Sequence, residues 1–198
     1  MKKHIWAIFI LLGIGLMLYP TIKYEYYKSQ EEKFMENWDK ASTILESSQI
    51  ETSVEENQDL RTEYEIHGTM IGIINIKKID LYEPVLKGAS ENNLNIGMAW
   101  VEGTAQIGDV GNHIIVGHRS RRYGRHFNRL DELEKGDTIE IITKDTSYIY
   151  IVYDKLIVKA EDARILEESD GDKIITLITC DYSMKPTGRL VVRGRCES

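Results

Sequence analysis

Ile174-Ile175-Thr176-Leu177-Ile178-Thr179-Cys180 is an apolar run of β type that ends on a thiol, and nine residues beyond that thiol Arg189-Leu190-Val191-Val192-Arg193-Gly194 opens on a guanidinium. Runs of this length, rich in β-branched residues and bounded by turn residues, read as buried strands. A short turn between them folds the second strand back on the first and delivers Arg189 beside Cys180. A thiol so placed suits acyl transfer better than packing. The third candidate is His118 in Val116-Gly117-His118-Arg119, just past the apolar strand that starts at His113. Cys180, His118 and Arg189, at the ends of three strands, form a candidate catalytic set.

Working outward, residues 68–198 are almost all β. Candidate strands are Met70 to Ile76, Ile79 to Leu86, Met98 to Val101, His113 to Val116, Thr138 to Ile142, Tyr148 to Val158, Lys173 to Thr179 and Arg189 to Arg195. Gly, Asn and Asp punctuate them, and Ser90 to Ile96 and Arg125 to Leu133 read as short helical turns. Eight short strands separated by turn signals predict a closed or nearly closed barrel. Neither an internal repeat nor a phosphate-binding glycine motif is present.

The ordered set Gly117-His118-Arg119, Phe127 and Leu130, Gly136-Asp137, Thr176-Leu177-Ile178-Thr179-Cys180 and Arg189-Leu190-Val191-Val192 resembles the sortase family of bacterial cell-surface transpeptidases. The resemblance runs from about Met70 to Gly194 and is most like class D. It implies an eight-stranded β-barrel with short helices, preceded by a membrane anchor helix and a juxtamembrane helix. It also implies cleavage of a Leu-Pro-x-Thr-type signal after its threonine, through a thioester on Cys180 resolved by a cell-wall amine. His118 would serve as acid and base, Arg189 would face the developing oxyanion, and Thr179 would help to hold substrate. The working form implied by the family pairs a thiolate with an imidazolium.

Composition outlines the same molecule independently. With 198 residues, 42% of them apolar and 9% aromatic, the chain can bury one core of ordinary size. Lys2 and Lys3 precede an apolar stretch from Ile5 to Tyr19 that ends at Pro20. At about 1.5 Å per residue this stretch spans about 22 Å, short for a bilayer unless its flanks sit in the interfaces. No small-residue cleavage site follows it, so residues 1–20 are expected to be an uncleaved signal anchor. The two lysines place the N-terminus in the cytoplasm and the catalytic domain outside.

Residues 21–67 hold five basic and twelve acidic residues, a balance of −7 that equals the net charge of the whole chain. With Lys2 and Lys3 set aside, residues 68–198 are left near −2. Tyr24, Tyr27, Phe34, Trp38, Ala41 and Leu45 recur at helical spacing and predict a helix to about Ser47 with one apolar stripe. That stripe packs on its own domain or on a second copy. Ser48 to Glu65 is polar, acidic and unpatterned, and reads as a linker.

Two cysteines in an exported chain invite a disulfide, but Cys180 ends one strand and Cys196 lies seven residues beyond Arg189 on the next. In a hairpin that separates the thiols by about 23 Å, where a bridge needs Cα atoms within about 7 Å. Cys196 reads as an incidental thiol. No closely spaced Cys and His ligands occur, and neither metal, cofactor nor nucleic acid is expected. The acidic residues Glu161, Asp162, Glu167, Glu168, Asp170 and Asp172 lack the regular spacing of a calcium loop. His113 reads as a strand or pocket-edge residue, and His126 lacks a strand-end context. Arg119, Arg121, Arg122, Arg125 and Arg129 read as a solvated loop face, with anionic polymer or lipid as the functional alternative.

The leading reading is a membrane-anchored cysteine transpeptidase joining proteins that bear an LPxT-type signal to a peptidoglycan amine. Alternatives are a pilin-polymerising sortase, a cysteine peptidase that hydrolyses its thioester, and a β-barrel binding module in which Cys180 is core.

Overall fold

The computed structural model describes residues 5–46, 70–122, 124–162, 165 and 171–197. The expected linker and Glu167, Glu168 and Asp170 lie outside the described residues. One long helix, α1 (Ile5–Glu46), precedes strands β1 (Met70–Ile76) and β2 (Leu81–Lys87), the short helix α2 (Glu91–Ile96), and β3 (Met98–Trp100) and β4 (Gly111–Val116). A 3-10 segment, His126–Glu132, then leads to β5 (Thr138–Ile142), β6 (Ser147–Val158), β7 (Lys173–Asp181) and β8 (Gly188–Cys196).

The strands close into a barrel in the order β1-β2-β3-β4-β7-β8-β6-β5. Two pairs, β2 with β3 and β4 with β7, run parallel, and the remaining pairs are antiparallel. The expected eight-stranded barrel is therefore the architecture found. Second-strand pairing starts at Leu81 rather than Ile79, because Lys77–Ile79 form a 3-10 turn that ends with Asp80 in the left-handed region at φ 53. A non-glycine residue takes that conformation only where a turn requires it.

Strands β4 and β7 are apolar without alternation because both of their faces are covered. Ile115, Ile175 and Leu177 point into the barrel core with Val85, Met98 and Phe127. On the other face Ile114, Ile178 and Val191 form a separate cluster with Val158 and Ile165, flanked by Val116. Ile178 of that outer cluster stands two residues before Cys180 on β7. Gly117, at the end of β4, admits no side chain: a Cβ there would stand 2.4 Å from Met98 Sδ and 2.8 Å from a Phe127 ring carbon. The chain can thus press against the core immediately before His118.

The expected anchor and juxtamembrane helices form one continuous helix of 42 residues with Pro20 inside it. A proline removes a single i to i−4 bond, and the helix continues past it with spaced pairs such as Lys28–Glu32 at 3.6 Å and Glu36–Lys40 at 2.8 Å. Of the predicted stripe, Tyr27, Phe34 and Trp38 pack with Met35 against Met70, Ile73, Leu86 and Ile96 of the barrel. Before Pro20, by contrast, the large apolar side chains Phe9, Leu11, Leu12, Leu16 and Met17 are all exposed. Among the described residues no helix is long and apolar enough to cross a membrane.

His113 supplies a pH-dependent element of stability. Its ring is buried, its Nδ1 lies 2.8 Å from the Ala105 carbonyl, and it stacks on Trp100 with centroids 5.9 Å apart. Its Nε2 meets no hydrogen-bond partner among the described residues. Burial pushes its pKa from 6.5 down to about 4. Below pH 6.5 the unfolded chain therefore takes up a proton that the folded ring refuses, so stability falls as pH drops towards 4. The expected loss is roughly 3 kcal/mol over that range. Urea unfolding checks it: the midpoint should fall from pH 6.5 to 4.5 in the native chain and fall less in His113→Gln.

Candidate active site

The hairpin of β7 and β8 sets two of the three candidate residues opposite one another. Cys180 pairs in register with Arg189, and Arg189 Nη1 lies 3.9 Å from Cys180 Sγ while donating to the Gly188 carbonyl at 3.1 Å. Strand β7 runs one residue past the thiol, to Asp181, so Cys180 lies within the ladder rather than beyond it. Cys196 lies at the other end of β8, where Arg195 pairs with Ile174, and both thiols are free.

The parallel ladder of β4 and β7 fixes His118. Val116 pairs with Ile178, and Gly117 N–H donates to the Ile178 carbonyl at 3.1 Å. Side chains in register in a parallel pair share a face, and the period is two. His118 follows Val116 by two residues and Cys180 follows Ile178 by two, so both come just after the last pair of this ladder, at the same end of the barrel. His113 pairs with Ile175, whose side chain is in the inner core, so His113 belongs to the opposite face. The structure thus sets Cys180 against Arg189, leaves His118 just past the same end of the adjoining strand, and sets His113 apart.

Thr179 faces inward. It is 2% exposed, and its hydroxyl donates to the Gly117 carbonyl at 2.9 Å. This bond ties the residue before Cys180 to the residue before His118.

His118 is exposed on one side and backed on the other by Arg125, His126 and α1. Phe127 N–H donates to its carbonyl at 3.1 Å, and its ring lies 6.5 Å from that of His126. Partial burial holds its pKa below the ordinary histidine value, His126 and Lys23 add to that, and Glu91 opposes it. A cleft of about 450 Å³ runs along this side, walled by Tyr19, Lys23 and Tyr24 of α1 and by Arg121 and Arg122.

Sequence reasoning missed the polar groups behind His118. His126 is buried with φ 50, and Glu83 of β2 accepts both its backbone N–H and a bond from its Nδ1, each at 2.6 Å. Arg125 Nε donates to His126 Nε2 at 3.2 Å. Glu31 of α1 stands 3.6 Å from Arg125. Burial, reinforced by Glu83, raises the Glu31 carboxyl to about 7. Most of the arginine cluster is likewise committed rather than solvated. Arg119 pairs with Asp131 and Asp181, Arg129 with Asp80 and Glu132, and Arg122 stacks 3.4 Å above the Tyr24 ring. Arg121 remains as the exposed loop residue first expected.

No group of three or more His, Cys, Asp or Glu side chains able to hold a metal occurs among the described residues. The chemistry available here is that of a thiol, an imidazole and a guanidinium.

A thiol, an imidazole and a guanidinium at one end of a closed eight-stranded barrel narrow the class, and comparison with known proteins supplies it. Residues 74–197 match the model of the Sortase domain, so the chain belongs to the sortase family. It is 28% identical to Sortase A of Listeria monocytogenes along its whole length and 92% of that protein. It is 34% identical to Sortase A of Bacillus anthracis over 125 residues, which are 63% of this chain and 59% of that one. In fold it is similar to the Sortase D5 transpeptidase of Clostridium perfringens, with a TM-score of 0.63 at 22% identity, covering 87% of this chain and 99% of that one. Family membership brings with it the class of enzyme, a cysteine transpeptidase of the cell surface.

Proposed function

We propose that this chain cleaves an LPxT-type sorting signal after its threonine and transfers the protein to a peptidoglycan amine. The observation that carries the reading is Arg189 Nη1 at 3.9 Å from Cys180 Sγ, with His118 just past the end of the adjoining strand β4. Cys180 Sγ attacks the threonine carbonyl carbon, and the peptide C–N bond breaks as His118 gives a proton to the departing amine. A thioester is left on Cys180. The incoming amine attacks the same carbon and yields a proton to His118, the C–S bond breaks, and a new amide forms with the thiolate restored. A His118 pKa held below the ordinary value favours release of that proton in the first step. Arg189 donates to the carbonyl oxygen as its charge develops, a task suited to permanent charge and forked donors. Thr179 acts from below, holding the two catalytic strands together rather than reaching substrate, as its burial and its bond to Gly117 support.

Within the family we place the chain with class D. Residues 1–20 serve as the signal anchor, 21–67 as the juxtamembrane segment and 68–198 as the catalytic barrel outside the membrane. The exposed apolar side chains from Phe9 to Leu18, which packing on the barrel does not cover, support that assignment. Clients are surface proteins with a C-terminal LPxT-type signal. Incubation with such a peptide and an added amine should give the peptide amide, whereas free acid alone would favour the hydrolytic alternative.

Arg189 and Arg193 share an outer face of β8, but Arg193 pairs with Thr176, about 13 Å further along the strand. Arg189→Ala should slow single-turnover acylation of Cys180 by about 100- to 1000-fold, the usual cost of an oxyanion donor. Arg189→Lys should recover little of that loss, since it keeps the charge without the planar fork, and Arg193→Lys should be nearly silent. Near-normal acylation in Arg189→Lys would mean that a positive field suffices, and an inactive Arg193→Lys would mean that the wrong arginine has been assigned.

A further inference from the structure

The residues that follow His118 and Cys180 in the chain are bonded to each other. Arg119 Nη1 donates to Asp181 Oδ2 at 3.1 Å, and Arg119 Nη2 reaches Asp131 Oδ2 at 3.0 Å. The Asp181 side chain is 6% exposed, and its other oxygen accepts the Ser183 N–H at 2.9 Å and the Ser183 hydroxyl. Those two bonds order the start of the turn that returns the chain to Gly188, which pairs with Asp181, and so to Arg189. Asp181 therefore shapes the turn that delivers the guanidinium to the thiol. Its cost is a buried carboxylate one residue along the strand from a sulfur that has to ionise; although the two side chains leave opposite faces of β7, a like charge on the neighbouring residue disfavours a thiolate.

We propose that Arg119 and Asp181 are a positioning pair for the Cys180 reaction: their ion pair locks the loop after His118 to the strand end after Cys180 and neutralises the carboxylate next to the catalytic sulfur. The inference rests on Cys180 and His118 being the catalytic residues, as argued above. With Thr179 bonded to Gly117 on one side and Asp181 to Arg119 on the other, the tripeptides Gly117-His118-Arg119 and Thr179-Cys180-Asp181 are joined at both ends. The two middle residues then have no freedom to slide past each other. The Ser183 hydroxyl first, then the Ser183 N–H and Arg119, hold the Asp181 carboxyl below the usual carboxylate range.

The charged groups around the thiol come from several elements. Arg189 faces Cys180 from β8, and His118 follows the end of β4, the strand paired with β7. Asp131, Lys155 of β6 and Arg121 line the cleft into which the Arg119–Asp181 pair faces. Removing either member of the pair consequently changes the field at the sulfur, and the two removals do so with opposite sign.

The test reads the pH midpoint of Cys180 alkylation by iodoacetamide in a Cys196→Ser background, together with kcat and KM for a sorting-signal peptide. Arg119→Gln leaves Asp181 unbalanced and should raise the midpoint by about one pH unit; Asp181→Asn should lower it by a similar amount. Loss of a merely structural contact would move both variants the same way. Combining the two substitutions should return the midpoint close to the native one, while kcat stays about tenfold or more below native and KM within about twofold, because the lock is still missing. Arg119→Lys, which keeps the charge, should keep the native midpoint and decides the matter if Arg119→Gln fails to fold. Shifts of the same sign, or no shift in any variant, would overturn the proposal. An active Cys180→Ala would instead overturn the catalytic reading on which it rests, so the two failures are distinct.

Discussion

Cys180→Ala should abolish thioester formation and all transfer, whereas Cys196→Ser should leave turnover within about twofold of native. Both thiols are free, so the difference comes from placement. A thiol of ordinary pKa, about 8.5, is only a few per cent ionised at neutral pH and needs a cation or base beside it to react quickly. Cys180 has Arg189 Nη1 at 3.9 Å, and His118 lies just past the end of the neighbouring strand β4. Cys196 pairs with Tyr150 at the far end of β8, donates to the Glu197 carbonyl at 3.4 Å, and has its thiol pKa pushed up by burial. It has neither the partners nor the position. Peptide turnover in the two single variants checks this, and equal losses would overturn the assignment of the nucleophile.

His118→Ala should lower turnover by about 100- to 10,000-fold, the range expected when a general acid and base is removed. His113→Ala should leave the activity of each folded molecule near native and cost stability instead. The reason is the register of β4 on β7. His113 pairs with Ile175 and shares its inward face, stacked on Trp100 and bonded to the Ala105 carbonyl. Truncating it leaves that carbonyl unpartnered and opens a void beside Trp100, at a cost of about 1 to 3 kcal/mol for the lost partner alone. Thermal unfolding and single-turnover acylation, measured on both variants, separate the two effects. If the results are exchanged, the base has been misplaced by five residues and by one face of the sheet.

Why the barrel was so legible in the sequence, and its polar interior so little, follows from what each depends on. β1 and β5 run from Met70 to Ile76 and from Thr138 to Ile142, the bounds their apolar runs predict, since a run of β-branched residues is a local signal. Boundaries set by hydrogen bonding rather than composition moved. β7 continues through Cys180 to Asp181 because Asp181 still pairs with Gly188, and β2 loses Ile79 to a turn. Pro20 is a breaker in sequence terms, yet α1 passes through it.

Cys180, His118 and Arg189 could be picked out because each closes or opens an apolar run. The groups that hold them could not. Arg119 and Asp181 are 62 residues apart, and Glu83 and His126 are 43 apart, so no periodicity links either pair. The single available clue was adjacency: an arginine directly after the histidine and an aspartate directly after the cysteine, flanking two residues already singled out. Read as surface charge, Arg119 vanished into the arginine cluster around it. Glu83 was equally hidden, because a buried carboxylate inside an apolar strand announces itself only when its partner is known.

The central claim is that the Cys180 sulfur becomes acylated by a sorting signal and is then released by an amine. Intact-mass spectrometry of the protein mixed with an LPxT-type peptide, first alone and then with an added amine, tests it directly. The predicted result is a mass increase equal to the peptide cut after its threonine, mapped to Cys180 and absent in Cys180→Ala, which disappears as the peptide amide forms. An unmodified protein that nonetheless cleaves the peptide, or an adduct mapped to any other residue, would contradict the account.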